Sequence, residues 1–569
     1  MRKGTGASPG ISIGKALVIT HEPLNIEKKE ITNVDGQKDI LKNSIEASKE
    51  QLTKIKEKAL RELGEEKAAI FEAHLMILQD PELVDSTLGK IESESINAEF
   101  AFKEVTNQFI TIFESMDNEY MRERAADIRD VSERVLRNIT GQSVVDLSVL
   151  EEEVILIAND LTPSDTATMN KEKVLGFLTD IGGRTSHTAI MARSLEIPAV
   201  VGLGNITEEV KNGDIIAFNG ESGEVIINPE EATINNMRSE KEAYEEYKRQ
   251  LQEVIGKSSV TTDDKHVELA ANIGTPNDVP GVIKNDGEGV GLYRTEFIYM
   301  NSDHLPTEDE QFKCYKEVLE GLKDKPIVIR TLDIGGDKNL PYLKIDEEMN
   351  PFLGYRAIRL CLDKVDIFKT QLRALLRASV YGNLKIMFPM ISSLEELLRA
   401  KEILEECKVE LDSEKIGYSN NIEVGMMIEV PAAAIISDIL AKHVDFFSIG
   451  TNDLIQYTTA VDRMNEKIHN LYNPFNPAVL RLIKMVIDNG HKNEIWVGMC
   501  GEMAGDKRMI PILLGFGLDE FSMSASSILP ARNLIRSLSY SQMKDFSDKI
   551  LGMATAQEIE SYIEETFRK

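Results

Sequence analysis

The chain has 569 residues, too many for one hydrophobic core, and on length alone about three to four domains are expected. With 42% hydrophobic and 28% charged residues it is compositionally globular, and a formal net charge of −30 excludes nucleic-acid binding through a broad basic face, although an acidic surface still steers basic partners. No stretch approaches the ~20 apolar residues of a membrane span and the opening Met-Arg-Lys-Gly-Thr-Gly lacks the apolar core of a secretion signal, so a cytoplasmic location is expected.

Ser8-Pro-Gly-Ile-Ser-Ile-Gly-Lys-Ala-Leu-Val-Ile19 reads as a turn followed by an alternating strand. From about residue 35 to 140 Gly and Pro nearly vanish and Glu, Lys, Leu and Ile recur at helical period, which predicts an all-helical block. One helix in it, 65–80, places Phe71, His74, Leu75 and Leu78 on one face before Pro81 opens the next. That stripe reads as core. Strand-like runs return at 153–158, 174–179, 199–201, 214–218 and 224–227, so the helical block is inserted into a small α/β domain. The expected organisation is an α/β domain from 1–20 and 145–230, an inserted helical subdomain at 21–144, a charged linker helix at 231–257, and a final domain at 258–569.

Within the α/β part, the run 174–179 leads into Asp-Ile-Gly182-Gly-Arg-Thr-Ser186-His187, a glycine turn and a helix start with Thr185 or Ser186 as cap. In the first helical turn the unpaired N–H groups would favour an anion on the His187 imidazole, and a phosphoryl group is the obvious one. On this stretch alone a capping or core histidine is the favoured reading.

The last 300 or so residues match the length of a (β/α)8 barrel. Eight apolar runs are legible there, at 267–272, 289–297, 326–332, 385–390, 424–430, 446–450, 495–500 and 519–523, with helical patterns between most of them. In such a barrel chemistry belongs at the carboxyl ends of the strands. Those ends carry Arg294 and Glu296, then Arg330, Asp333 and Asp337, then Glu429, then Asn452 and Asp453, then Cys500 and Glu502. Glu429 and Asp453 would suit Mg²⁺, while Arg294 and Arg330, with Arg356 and Arg463 on following segments, offer planar forks for phosphate or carboxylate. The other cysteines, Cys314, Cys361 and Cys407, have no metal-binding spacing and read as packing residues.

These residues lie in motifs that resemble the Enzyme I family, the phosphoenolpyruvate-protein phosphotransferases of bacterial sugar phosphotransferase systems. The motifs are Gly182-Gly-Arg-Thr-Ser-His187-Thr-Ala-Ile-Met-Ala-Arg193, Gly291-Leu-Tyr-Arg294-Thr-Glu-Phe297, Asn350-Pro-Phe-Leu-Gly-Tyr-Arg356, Phe447-Ser-Ile-Gly-Thr-Asn452-Asp453-Leu454 with Ala460-Val-Asp-Arg463, and Gly498-Met-Cys500-Gly-Glu-Met-Ala-Gly505. The resemblance covers essentially the whole chain. It implies phosphoryl transfer from phosphoenolpyruvate to Nε2 of His187 and then to a histidine of the carrier protein HPr. Arg294, Arg330, Arg356, Asn452 and Arg463 would hold the substrate, Glu429 and Asp453 would bind Mg²⁺, and Cys500 would protonate the enolpyruvate carbon. The inserted helices would dock HPr, with Glu65, Glu66, His74 and Arg124 as contacts, and the barrel would pair as a homodimer.

Two other readings differ in what they require. A pyruvate phosphate dikinase or phosphoenolpyruvate synthase needs an ATP-binding domain before its histidine, and residues 1–181 are largely charged helix without a glycine-rich phosphate loop. A non-catalytic regulatory phosphoprotein would need neither the thiol nor the metal-type carboxylates.

Overall fold

The computed structural model describes residues 1–567 apart from 20–23, 25, 64, 116–118, 143–146, 148, 149, 151, 163, 164, 167, 168, 184, 185, 336–339, 341, 344, 347 and 466. The side chains of 62, 63, 65–67, 69, 119–123, 126, 187, 194 and 469 also lie outside the description. The chain divides into two compact units, 1–247 and 248–569.

The first unit is built on an eight-stranded sheet of β1 (Arg2–Lys3), β2 (Thr5–Ser8), β3 (Ile11–Ile19), β4 (Val154–Ala158), β5 (Val174–Thr179), β6 (Ala199–Val201), β7 (Ile215–Asn219) and β8 (Glu224–Ile227), in the order β1-β8-β7-β3-β4-β5-β6-β2. The central run β3-β4-β5-β6 is parallel and the flanking pairs are antiparallel. Because side chains alternate along a strand, β4 feeds two cores: Leu156 and Ala158 join Phe177 and Ala192 on one face, Ile155 and Ile157 join Leu178 and Phe218 on the other. Burial on both faces is why β4 reads Val-Ile-Leu-Ile-Ala without polar alternation.

Between the parallel neighbours β3 and β4 the described residues include the α-helices Val34–Leu63, Glu65–Gln79, Pro81–Glu94, Ala98–Glu114 and Glu119–Thr140. They enclose their own core, with Leu41, Leu52, Phe71, Phe102 and Val135. Asp80 ends one helix and caps the next, its Oδ1 accepting the Glu82 N–H at 2.9 Å, with Pro81 in the first turn where a missing N–H costs nothing. The apolar stripe of Glu65–Gln79 is core as the sequence predicts: Phe71, His74 and Leu78 are buried.

The second unit is a closed barrel of eight parallel strands: β9 (Glu268–Ile273), β10 (Gly289–Arg294), β11 (Pro326–Arg330), β12 (Asn383–Phe388), β13 (Glu423–Ile428), β14 (Phe446–Ile449), β15 (Trp496–Met499) and β16 (Glu520–Met523). It closes where β16 meets β9, Glu520 beside Glu268. Each of the eight strands overlaps one of the apolar runs of the sequence, with β9, β12 and β13 extending one or two residues beyond theirs. The run 289–297 is not one strand, however: β10 stops at Arg294, Thr295 takes an α conformation with its hydroxyl donated to the Arg330 carbonyl at 2.9 Å, and a short helix Glu296–Met300 follows. Leu292, Val328, Met387, Met427, Phe446 and Cys500 form one cluster, against which Trp496 stacks on Phe446 at 4.4 Å between ring centroids. Among the described residues no helix is long and apolar enough to cross a membrane.

Candidate active site

In the first unit, β5 runs into the glycine turn and the helix His187–Leu195. Gly182 sits at φ +111°, a conformation side chains rarely adopt, and a Cβ there would come within 3.0 Å of the Ser186 hydroxyl. That hydroxyl caps the helix by accepting the Ala189 N–H at 3.4 Å, so His187 is the first helical residue. Thr188 anchors the same turn from the buried side, donating to Asp160 at 2.8 Å. The His187 side chain and Thr185 lie outside the described residues. The backbone nevertheless puts residue 187 where helix N–H groups have no intrahelical acceptor.

In the second unit, the strand ends converge on one charged cluster. The Arg330 guanidinium meets Glu296 at 2.8 Å and Asp333 at 3.0 Å. Asp333 is shared, holding Arg356 at 2.9 Å through its other oxygen, and Arg356 reaches Asp453 at 3.4 Å and the Tyr457 hydroxyl at 3.3 Å. Arg463 approaches Asp453 at 3.9 Å, too long for a hydrogen bond. Glu429 accepts the Met390 N–H at 2.6 Å. Glu296, Arg330, Asp333, Arg356, Glu429 and Asp453 are all at least nine-tenths buried.

Within this buried set four carboxylates face two guanidiniums. Burial first, then Asp453 and Asp333, pushes the Glu429 carboxyl above its ordinary range, while the surrounding carboxylates hold Arg330 and Arg356 firmly protonated despite desolvation. Asp453 Oδ1 is buried and has no hydrogen-bond partner among the described residues. Gly450 leaves room beside Glu429, where a Cβ would come within 2.9 Å of Oε2. Surplus negative charge and an uncommitted hard oxygen fit a divalent cation. Among the described residues no three His, Cys, Asp or Glu are grouped to hold a metal by themselves. Mg²⁺ asks for less, since it takes one or two protein carboxylates and completes its shell with water and substrate oxygens.

Cys500 follows β15, its carbonyl accepting from Asn272 at 3.0 Å, and burial pushes its thiol up to about 11. It therefore carries its proton at neutral pH. Asn452 is locked to the segment after Cys500 by a reciprocal pair, donating to Glu502 at 3.2 Å and accepting the Glu502 N–H at 3.3 Å. The side chain of Arg294, half-buried at the end of β10, makes no ion pair or hydrogen bond among the described residues and is free to take an anion.

The residues expected to act together thus fall into one linked barrel cluster, Arg330, Arg356, Glu429, Asp453 and Arg463, with Arg294, Asn452 and Cys500 at neighbouring strand ends. Asp333, Glu296 and Glu502 were legible as polar strand-end residues without a role, and Tyr457 went unnoticed. Its signal was present: it stands four residues after Asp453, on the same face of the helix Thr451–Thr459. In the inserted helices, His74 requires a correction as an exposed contact. It has no exposed surface, its Nε2 lies 3.2 Å from Asp127 and its Nδ1 3.7 Å from Asp130, because the apolar stripe carries it inward. Arg124 is partly exposed and lines an open depression with Glu72, Met76 and Asp80. The Glu65 and Glu66 side chains lie outside the described residues.

Comparison with known proteins agrees with this architecture. The description "PEP-utilising enzyme, PEP-binding domain" matches residues 248–540, "PEP-utilising enzyme, N-terminal" matches 3–124, and "PEP-utilising enzyme, mobile domain" matches 150–223. A phosphoenolpyruvate-protein phosphotransferase of Bacillus subtilis (strain 168) is 58% identical over 100% of this chain and 99% of its own. The chain belongs to the phosphoenolpyruvate-protein phosphotransferase family. The phosphoenolpyruvate-protein phosphotransferase of Priestia megaterium is 57% identical over 99% of both chains. The NMR solution structure of Enzyme I (nEIt) is 53% identical, covering 43% of this chain and all of its own, with a TM-score of 0.40. As a member of the phosphoenolpyruvate-protein phosphotransferase family the chain is an enzyme, and its barrel cluster lies wholly inside the region matched as PEP-binding.

Proposed function

We propose that the barrel cluster binds phosphoenolpyruvate with Mg²⁺, that His187 takes the phosphoryl group, and that HPr receives it in the first step of a sugar phosphotransferase system in the cytoplasm. The observation that carries this reading is the buried cluster at the strand ends, with cations for an anionic substrate and carboxylates for a cation. Arg294, Arg330, Arg356, Asn452 and Arg463 hold the substrate, and Glu429 and Asp453 hold the metal. Bound there, Mg²⁺ would neutralise charge on the phosphate and on the enolate oxygen.

His187 Nε2 attacks phosphorus in line, the bond from phosphorus to the enol oxygen breaks, and its electron pair passes into the enolate. The enolate carbon takes the proton from Cys500, leaving pyruvate and a thiolate that recovers a proton from water. A thiol near 11 suits this, being loaded at neutral pH yet acidic enough for a carbanionic centre. The four barrel arginines do no covalent chemistry; they align and neutralise. The phosphohistidine domain then carries the group to HPr on the inserted helices, where Glu65, Glu66 and Arg124 remain the contact candidates and His74 supports the face from beneath. Pairing as a homodimer through the barrel would cover apolar residues such as Met349, Leu353, Ile435 and Met464, which the barrel unit exposes.

The test is transfer to the acceptor. With unlabelled protein in catalytic amount, labelled phosphoenolpyruvate and Mg²⁺, label should accumulate on HPr, and His187→Ala should abolish it. Transfer that survives His187→Ala would refute the assignment.

A further inference from the structure

Arg356 is buried, and its neighbours set the direction of its guanidinium. Nε and Nη2 donate to Asp333 Oδ1 at 3.3 and 2.9 Å, Nη2 also donates to Asp453 Oδ2 at 3.4 Å, and Nη1 donates to the Tyr457 hydroxyl at 3.3 Å. A guanidinium carries five N–H groups, so one N–H on Nη1 is left without a partner among the described residues. The two carboxylates hold Nε and Nη2. Tyr457 is the one described partner of the nitrogen that keeps a donor to spare, and because the guanidinium is planar and rigid, holding that nitrogen fixes where the spare N–H points.

Tyr457 is itself held. Its hydroxyl donates to the Phe352 carbonyl at 2.5 Å, which leaves its lone pairs for Arg356. Burial raises the phenol to about 12, so that proton stays in place at neutral pH. Phe352 belongs to the same segment as Arg356, and its ring faces the guanidinium at 5.9 Å. One phenol therefore ties both the backbone and the arginine of this segment to the helix Thr451–Thr459.

The residue before it anchors a second segment. Gln456 Oε1 accepts the Arg463 N–H at 3.1 Å. The same helix carries Asn452 and Asp453 one turn earlier, so its first turn faces the cluster while its second turn fastens the two segments that bring Arg356 and Arg463.

We propose that Tyr457 is a positioning residue for the substrate: by joining the Phe352 carbonyl to Nη1 of Arg356 it aims the remaining Arg356 N–H at the anion of phosphoenolpyruvate, and so sets the affinity for substrate rather than the speed of phosphoryl transfer. The inference rests on the function proposed above, in which Arg356 holds phosphoenolpyruvate.

In the full chain with Mg²⁺, Tyr457→Phe should raise the calorimetric Kd and the KM for phosphoenolpyruvate by about fivefold or more, the loss of one hydrogen bond to a charged group. The rate of self-phosphorylation at saturating phosphoenolpyruvate should stay within about twofold and the unfolding midpoint within about 2 °C, a pattern that a merely structural role would not give. Arg356→Lys, which keeps the charge and removes Nη1, should absorb the effect: adding Tyr457→Phe to it should change kcat/KM by less than about twofold. An unchanged Kd, a loss confined to the saturated rate, a fall in the unfolding midpoint that accompanies the loss of affinity, or an undiminished loss in the Arg356→Lys background would each overturn the inference. Absence of binding by the unaltered protein would overturn the proposed function and this inference together, whereas equal binding by the unaltered protein and Tyr457→Phe would sink the role of Tyr457 alone.

Discussion

Cys500, beside the charged cluster, and Asp333, within it, have different roles in the proposed function. Removing the thiol should leave phosphoenolpyruvate binding in place and slow self-phosphorylation by about 10²-fold or more, the range of a lost general acid. Rapid-quench measurement of Cys500→Ala checks this, and a near-normal rate would remove the acid role. Asp333→Ala leaves two buried guanidiniums without their shared carboxylate, so it should cost on the order of 3–5 kcal/mol of stability in urea unfolding and raise the KM as well. A third residue-scale effect lies at the barrel closure. Burial and then Glu268 push Glu520 up to about 8, above its ordinary value of 4.5. The folded state then holds more protons than the unfolded state between those values, so Glu520's contribution to stability is present below about 4.5 and is lost as pH rises toward 8. Glu520→Gln should flatten that decline in unfolding titrations across the same window; an unchanged slope would contradict it.

At the scale of elements, the strands were the legible part. Eight apolar runs in 258–569 became eight barrel strands, because parallel strands buried on both faces must be apolar along their whole length. Their ends were less legible: 289–297 breaks at Thr295 for a hydrogen bond to the Arg330 carbonyl, a tertiary partner that period cannot reveal. Roles followed the same rule. Arg330 and Glu429 could be picked from their place at a strand end, but Asp333 becomes a bridge only when β11 and the loop bearing Arg356 meet. His74 shows the opposite error, a helix-face residue taken as exposed although its own stripe marked it as core. The cap of the His187 helix is testable on its own terms: Ser186→Ala removes the acceptor for the Ala189 N–H and should lower the stability of the first unit by about 1 kcal/mol in thermal or urea unfolding.

For the whole molecule, the proposed site residues are divided between two units that each have their own core. The proposed donor-site residues all lie within 248–569, so a chain of those residues should fold cooperatively and bind phosphoenolpyruvate, yet accept no phosphoryl group. His187 is in the other unit, and the helix Glu231–Glu253 carries the chain from one to the other. On the proposed function, transfer would need the His187 unit to serve both the barrel and the inserted helices in turn. The most direct test of that account is to incubate the pure protein with labelled phosphoenolpyruvate and Mg²⁺, without ATP, and map the label. The account predicts one acid-labile, base-stable phosphate on the peptide containing His187, and none in His187→Ala; label that requires ATP, or that lies on another residue, would contradict it.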